Sequence, residues 1–311
     1  MSNWTIADIP PQTSKRAIIT GTGGLGFETA LALAGAGAEV ILAGRNQAKG
    51  AASVAKILER HPRAAIRFEM LDLASLASIA AFAERMANTD PTLDILINNA
   101  AVMMLPQRRV TEDGFEMQLG TNYLGHFALT ARLLPLLRRT REPRVVTVAS
   151  LAHRRGVIRF DDLQWKKEYR PWAAYEQSKL ANLVFALELQ RRSDAHGWGV
   201  KSVSGHPGYS RTDLIANGPG TESWFMKLGM LLQPLISQDA ASGAMPTLFA
   251  ATALEAKPSG YYGPKGFYEM KGPPAPAFIA PRASDAGTGR RLWQVSEELT
   301  GVRFEALSPA A

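Results

Sequence analysis

The sequence predicts an α/β protein: a doubly wound parallel sheet covered by helices on both faces, in three α/β/α layers. Three observations predict it. Continuous apolar runs of strand length recur through the first two-thirds of the chain, amphipathic stretches of helical length separate them, and a glycine-rich turn joins the first run to the first helix. A strand with one wet face alternates polar and apolar residues, so unbroken apolar strands point to a sheet buried on both sides. Crossovers between parallel strands are right-handed, and they wind such a sheet into a dinucleotide-binding architecture.

Six strands are expected, at 16–20 (RAIIT), 39–44 (EVILAG), 66–70 (IRFEM), 93–100 (LDILINNA), 144–150 (RVVTVAS) and 200–208 (VKSVSGHPG). The intervening helices are expected at 26–36, 46–60, 74–88, 115–139 and 174–195. After Thr212 the character changes: 213–236 mixes glycine, proline and large apolar residues, with Trp224, Phe225, Met226, Met230, Leu231 and Leu232 able to cover an apolar substrate. A helix follows at 239–256, then a turn-rich stretch at 258–270 and a helix within 283–304. Nothing in the composition marks a linker. The expectation is one domain over 1–311, with a cofactor-binding and catalytic core at 15–212 and a substrate lid and C-terminal extension at 213–311.

The chain has 311 residues, 46% apolar and 20% charged, enough for a sizeable buried core. It has no cysteine, which excludes disulfides and thiolate catalysis. The first residues lack the apolar core of a signal peptide, and no stretch reaches the roughly 18–20 apolar residues of a membrane span. A cytoplasmic location is expected. The net charge of +7 is basic, yet no helix-turn-helix, zinc pattern or aromatic RNA-binding signature accompanies it, so nucleic acid is not the expected partner. An anionic cofactor is. No second histidine stands at metal-ligand spacing from His126, which is read as structural, and no metal is expected.

The stretch TGTGGLG, 20–26, carries the first chemistry. Glycine is needed where backbone must approach a pyrophosphate closely or adopt positive φ, and the following helix directs unpaired N–H groups and its positive dipole end at phosphate. At the end of the second strand an acid would bind a ribose 2′-OH and repel a 2′-phosphate. Arg45 and Asn46 stand there with no acid nearby, and a guanidinium fork suits phosphate. NADP(H) is therefore expected in preference to NAD(H), which is the alternative. Tyr175 and Lys179, at i and i+4 in YEQSK, share a helix face, and the ammonium is expected to stabilise a phenolate. Ser150 closes the fifth strand at its carboxyl end, where open α/β sheets bind ligands.

From IITGTGGLGFETALALAGAGAEVILAGRN onward the sequence resembles the short-chain dehydrogenase/reductase family, in particular its retinol-dehydrogenase-like branch and bacterial ketoreductases. The resemblance implies a Rossmann fold. It aligns Gly21, Gly24 and Gly26 with the family's glycines, with Thr22 and Leu25 in the same cradle, although this loop is one residue shorter. Asp72 and Leu73 match the segment meeting the adenine edge. INNAA at 97–101 resembles the family's Asn-Asn-Ala-Gly, with Asn98 bracing the sheet and Asn99, Ala100 and Ala101 lining the nucleotide. The implied catalytic set is Asn122 (in TNYLGHF), Ser150, Tyr175 and Lys179, with Tyr175 and Lys179 also meeting the cofactor. Pro207, Gly208, Tyr209 and Thr212 match the turn that reads the nicotinamide carboxamide. The long insert between Ser150 and Tyr175 resembles the same branch.

The implied activity is hydride transfer between NADP(H) and a bulky apolar ketone, aldehyde or secondary alcohol. The alternatives are a C=C reductase of the protochlorophyllide-reductase-like type, or a non-catalytic nucleotide-binding regulator on the same fold. Family members form homodimers or homotetramers through the helices at 115–139 and 174–195, an arrangement that the basic insert and long tail of this chain could obstruct.

Overall fold

Six parallel strands run β1 (Arg16–Thr20), β2 (Glu39–Gly44), β3 (Ile66–Met70), β4 (Ile95–Asn98), β5 (Arg144–Val148) and β6 (Lys201–Gly205) along the chain. The computed structural model describes residues 4–209 and 238–304. Two further strands extend the sheet: β7 (Tyr261–Pro264), parallel to β6, and β8 (Pro274–Pro276), antiparallel to β7. The spatial order is β3-β2-β1-β4-β5-β6-β7-β8. Winding reverses between β1 and β4, and a crevice opens beyond the carboxyl ends of such strands.

The helices are α1 (Gly24–Gly35), α2 (Gln47–Arg60), α3 (Leu76–Thr89), α4 (Gly125–Leu137), α5 (Pro171–His196), α6 (Ala240–Thr252) and α7 (Ala286–Thr300). Successive strand residues feed opposite faces. Ile18, Leu96 and Val145 pack with Phe82, Leu129 and Leu183 of α3, α4 and α5, while Ile19, Ile97 and Val146 pack with Leu33 of α1 and Leu248 of α6. That division gives the three layers, and the unbroken apolar strands follow from it.

The helix expected at 115–139 is not continuous. A turn at Met117–Leu119 passes into a π-helical segment, Gly120–Leu124, before α4 begins. Its backbone runs against neighbouring loops: a Cβ on Gly125 would stand 2.4 Å from Leu73 O, and one on Gly120 would stand 2.5 Å from Thr111 Cγ2. The wide turn holds Asn122. α5 starts at Pro171, three residues earlier than expected, because proline at the first position costs no hydrogen bond. It ends at Gly197, whose φ of 63° is a left-handed cap.

α7 lies on α5 through one aromatic cluster. Trp293 stacks on Phe185 (5.8 Å between centroids) and meets Phe127 edge-on (5.1 Å), and Phe304 closes on Trp293 at 4.4 Å. The Tyr123 and Ser296 hydroxyls meet at 2.6 Å beneath it. Among the described residues no helix is long and apolar enough to cross a membrane.

Candidate functional site

The glycine turn leaves β1 with Gly21 at φ 92° and enters α1 with Gly24 at φ 50°. Gly26 has ordinary φ but no room: a Cβ there would stand 2.2 Å from Gly21 O and 2.8 Å from Asn99 Nδ2. The loop therefore closes on itself despite its shorter length, and α1 opens with no side-chain cap. The N–H groups of Gly24 and Leu25, at the first two helical positions, have no intrahelical acceptor and are free for an anion.

Loop and sheet are bolted together by Thr20. Its Oγ1 accepts from Asn99 N (2.9 Å) and Ala100 N (3.0 Å), while Asn99 Nδ2 donates to Thr20 O at 2.7 Å. His126 sits behind, Nδ1 on Asn122 O and Nε2 on Thr20 Oγ1, both at 2.9 Å. The carbonyl requires the proton on Nδ1, so Nε2 accepts from the threonine. Burial holds this imidazole neutral, lowered to about 4. It is structural, as expected.

Arg45 and Asn46 follow β2. The Asn46 side chain caps α2 by accepting from Lys49 N at 2.9 Å. Arg45 is exposed and makes no hydrogen bond or ion pair with any described residue. Thr22 reaches the same corner, since its carbonyl accepts from Ser53 Oγ at 2.8 Å on α2. Asp72 Oδ1 accepts from Ala74 N at 2.9 Å, a local turn that leaves the other carboxylate oxygen unused, and Leu73 packs in the core. Ala101, half-buried, follows Ala100 beside the loop.

The four candidate catalytic residues converge from three elements. Ser150 is extended and caps the helical turn Leu151–Arg154, its Oγ accepting from Ala152 N at 3.2 Å. It stands close enough to the Tyr175 phenol on α5 to favour the phenolate. One turn on, Lys179 Nζ donates to Val148 O at 3.0 Å and lies 5.9 Å from the Tyr175 ring centroid. Asn122 is fully built in: Oδ1 accepts from Val102 N, and Nδ2 donates to Val102 O and to Ser178 Oγ. Burial pushes the Tyr175 phenol up to about 12, against the lowering effect of Ser150, and lowers Lys179 to about 8. The phenol thus shifts opposite to the direction expected from a tyrosine–lysine pair alone, because desolvation of the buried ring outweighs the lowering effect of Ser150.

Pro207, Gly208 and Tyr209 form a turn with Gly208 at φ 64° and Tyr209 exposed. Thr212 and the apolar candidates of 213–236 lie outside the described residues.

A family model of the short chain dehydrogenases matches residues 15–222. The chain belongs to the short-chain dehydrogenase family. It is 41% identical to retinol dehydrogenase 12 of Homo sapiens over 293 residues, covering 94% of this chain and 88% of that protein. It is 40% identical to polyprenol dehydrogenase of Mus musculus over 300 residues, covering 94% and 86%. Among solved structures, an uncharacterized protein from Mycobacterium paratuberculosis superposes with a TM-score of 0.81 at 40% identity, covering 97% of this chain and 99% of that one. A Shigella flexneri short chain dehydrogenase complexed with NADP superposes at 0.62 with 25% identity, covering 80% and 96%. The family's enzymes are oxidoreductases that use NAD(P).

In this short-chain dehydrogenase several residues that complete the site carry no signal of their own in the sequence. Thr20 had one, as the residue opening the glycine stretch. His153 had none: its Nδ1 meets Ser150 O at 2.7 Å, and it lies edge-on to Tyr261 of β7 at 5.3 Å. Trp172, 45% exposed, lies 5.5 Å from the Tyr175 ring at a 34° tilt. Asn182 Nδ2 shares Val148 O with Lys179.

Proposed function

We propose that this dehydrogenase passes hydride between NADP(H) and a bulky apolar aldehyde, ketone or alcohol. The observation that carries the reading is the convergence of Ser150, Tyr175 and Lys179 at the carboxyl end of β5. The residues present fit the cofactor: Gly26 and Gly21, with no room for a Cβ, let the turn's backbone lie bare at the start of α1, α1 offers two N–H groups, and Arg45 stands unpaired at the end of β2 to take a 2′-phosphate. When bound, NADPH supplies the hydride; the protein supplies orientation and charge.

Tyr175 keeps its proton through neutrality and delivers it to the substrate oxygen as negative charge develops there. Ser150 stands beside the phenol and offers a second hydroxyl to that oxygen. Lys179, fixed by Val148 O, provides the positive charge that steadies the phenolate left behind. Asn122 keeps the π-helical segment and α5 in register through Val102 and Ser178, and is assigned to the proton path beyond the lysine. The substrate class is supported by relatives named for retinol and polyprenol, long apolar alcohols, and by the exposed indole of Trp172 beside the proton donor.

A fluorescence titration with NADPH and NADH tests the cofactor. NADPH is expected to bind at least tenfold tighter, about 1.4 kcal/mol, and Arg45→Glu to abolish that margin. Turnover is then measured with all-trans-retinal and with a short aliphatic aldehyde. Equal affinity for the two nucleotides, or no preference for the long apolar substrate, overturns the corresponding half of the reading.

A further inference from the structure

Neither the catalytic cluster nor the glycine turn uses a third group of polar side chains, which joins the buried His206 to the half-buried Glu269 and Arg154. Glu269 belongs to the hairpin between β7 and β8, remote in sequence from every family motif. The hairpin folds back across the carboxyl ends of the strands, with Tyr268 at φ 49° and Glu269 at φ 59°, left-handed conformations that non-glycine residues rarely adopt. What those two residues achieve is the delivery of one carboxylate. Its Oε2 accepts from His206 Nε2 at 2.9 Å and from Arg154 Nη2 at 2.6 Å, and its Oε1 accepts from Phe278 N at 3.0 Å.

We propose that Glu269 is a positioning residue that fastens the His206–Tyr209 turn to the helical turn capped by Ser150, and thereby sets how the nicotinamide end of the cofactor is presented. The inference rests on the proposed NADP(H) function. His206 is fully buried, and its Nδ1 accepts from Gly208 N at 3.1 Å, so the proton must sit on Nε2, facing the carboxylate. Glu269 therefore holds the tautomer whose lone pair fixes Gly208. The same hairpin touches the turn directly: Tyr209 N donates to Met270 O at 2.9 Å, and a Cβ on Gly208 would stand 2.3 Å from that oxygen.

On the other side, Arg154 is the last residue of the helical turn that Ser150 caps, and its guanidinium lies 5.5 Å from the Phe278 ring centroid. One carboxylate thus spans the serine segment and the carboxamide-reading turn, alongside the Tyr261 ring, which touches His153 on one side and His206 on the other. None of the three side chains donates to Tyr175 or Lys179, so the group acts through position and not through chemistry.

The test compares full-length wild type with Glu269→Gln, which keeps the size but removes the charge and leaves one amide oxygen for three donors, so that its N–H₂ must face one of them. Two probes are titrated: NADPH, and 2′-phospho-ADP-ribose, which lacks the nicotinamide. For Glu269→Gln the expected result is about a tenfold loss of NADPH affinity, a fall in kcat of at least that size, and affinity for the fragment unchanged within about twofold. A merely structural role would weaken both probes alike. Should Glu269→Gln not fold, His206→Asn keeps an acceptor for Gly208 N while cutting the link to Glu269, and the same split is expected. Equal loss on both probes, or no loss on either, overturns the inference alone. A wild type that binds neither probe overturns the NADP(H) reading and the inference with it.

Discussion

The glycine turn can be challenged by one methyl group. In Gly26→Ala the new Cβ would stand 2.2 Å from Gly21 O and 2.8 Å from Asn99 Nδ2, where ordinary contact begins near 3.4 Å. The loop carbonyl must retreat by about 1 Å, and the Asn99 bond to Thr20 O lies in its path. Overpacking of this kind costs about 1–3 kcal/mol, of which alanine's better helix propensity returns about 1. The net fold penalty is small, roughly 0–2 kcal/mol, or a few degrees in Tm for a chain of this size. The binding penalty is larger, because the displaced backbone is the part that approaches the phosphates. A loss of about 100-fold in NADPH affinity, about 2.7 kcal/mol, is expected. Gly35→Ala, at the other end of α1, is the control: there the new Cβ meets only the end of the His61 ring, at 2.9 Å, which can turn aside. It should leave NADPH affinity unchanged. Fluorescence titration and thermal melting of both variants decide the matter. Gly26→Ala binding NADPH within about threefold of wild type would refute the reasoning that the turn is a phosphate cradle.

Further outcomes are expected. Tyr175→Phe should cut kcat by about 10²–10⁴-fold while leaving NADPH affinity intact, since the ring still fills its buried site and only the proton donor is lost; retained turnover would sink the assignment. Stability should fall as pH drops from 6.5 toward 4. His126 and His153 stay neutral in the fold down to about 4, whereas the unfolded chain takes up protons at about 6.5, so within that window the unfolded state binds more protons. Urea titrations at pH 7 and 5 check it, and a Phe substitution at His126 should flatten the slope. Trp172→Ala should raise KM for a long apolar aldehyde several-fold and leave that for a short one unchanged, which steady-state kinetics on the pair would show. Trp293→Ala should cost about 3–5 kcal/mol by opening a cavity among Phe127, Phe185 and Phe304, read as a lower urea midpoint.

What could be read from the sequence was whatever local chemistry dictates. Runs such as Ala17–Ile18–Ile19 are apolar on both faces because both faces are covered, and the glycines of the turn are needed for backbone reasons visible in their spacing. The pair Tyr175/Lys179 likewise keeps its geometry within a single element, and Asn98 and Asn99 are fixed by adjacency at the end of β4. β7 and β8 were missed because their residues, YYGP and PAP, owe their extended form to pairing with β6 and with each other, not to propensity. The π-helical segment escaped for the same kind of reason: it is forced by Gly125 passing close to the backbone of Leu73, over fifty residues away. His206, Glu269 and Arg154 had no spacing to announce them, since a hairpin had to fold back before the three could meet. The phenol of Tyr175 moved opposite to expectation because burial is a property of the whole fold and not of the YEQSK motif.

The seating of α7 on α5 also governs the order in which the molecule can be finished. Tyr123 and its partner Ser296 are 173 residues apart, and Phe127 waits for Trp293 and Phe304 from the far end of the chain. A polypeptide emerging from the ribosome can pair β1 to β5 and cover one face early, yet the aromatic patch on α4 and α5 stays wet until residue 304 has been made. At about 5–20 residues per second, the hundred-odd residues after α5 take several seconds or more to synthesise. During that interval a large apolar surface is open to chaperones and to neighbouring chains. Synthesis speed over the last third of the chain, more than the strength of any one contact, would then set how much of this protein reaches its folded state.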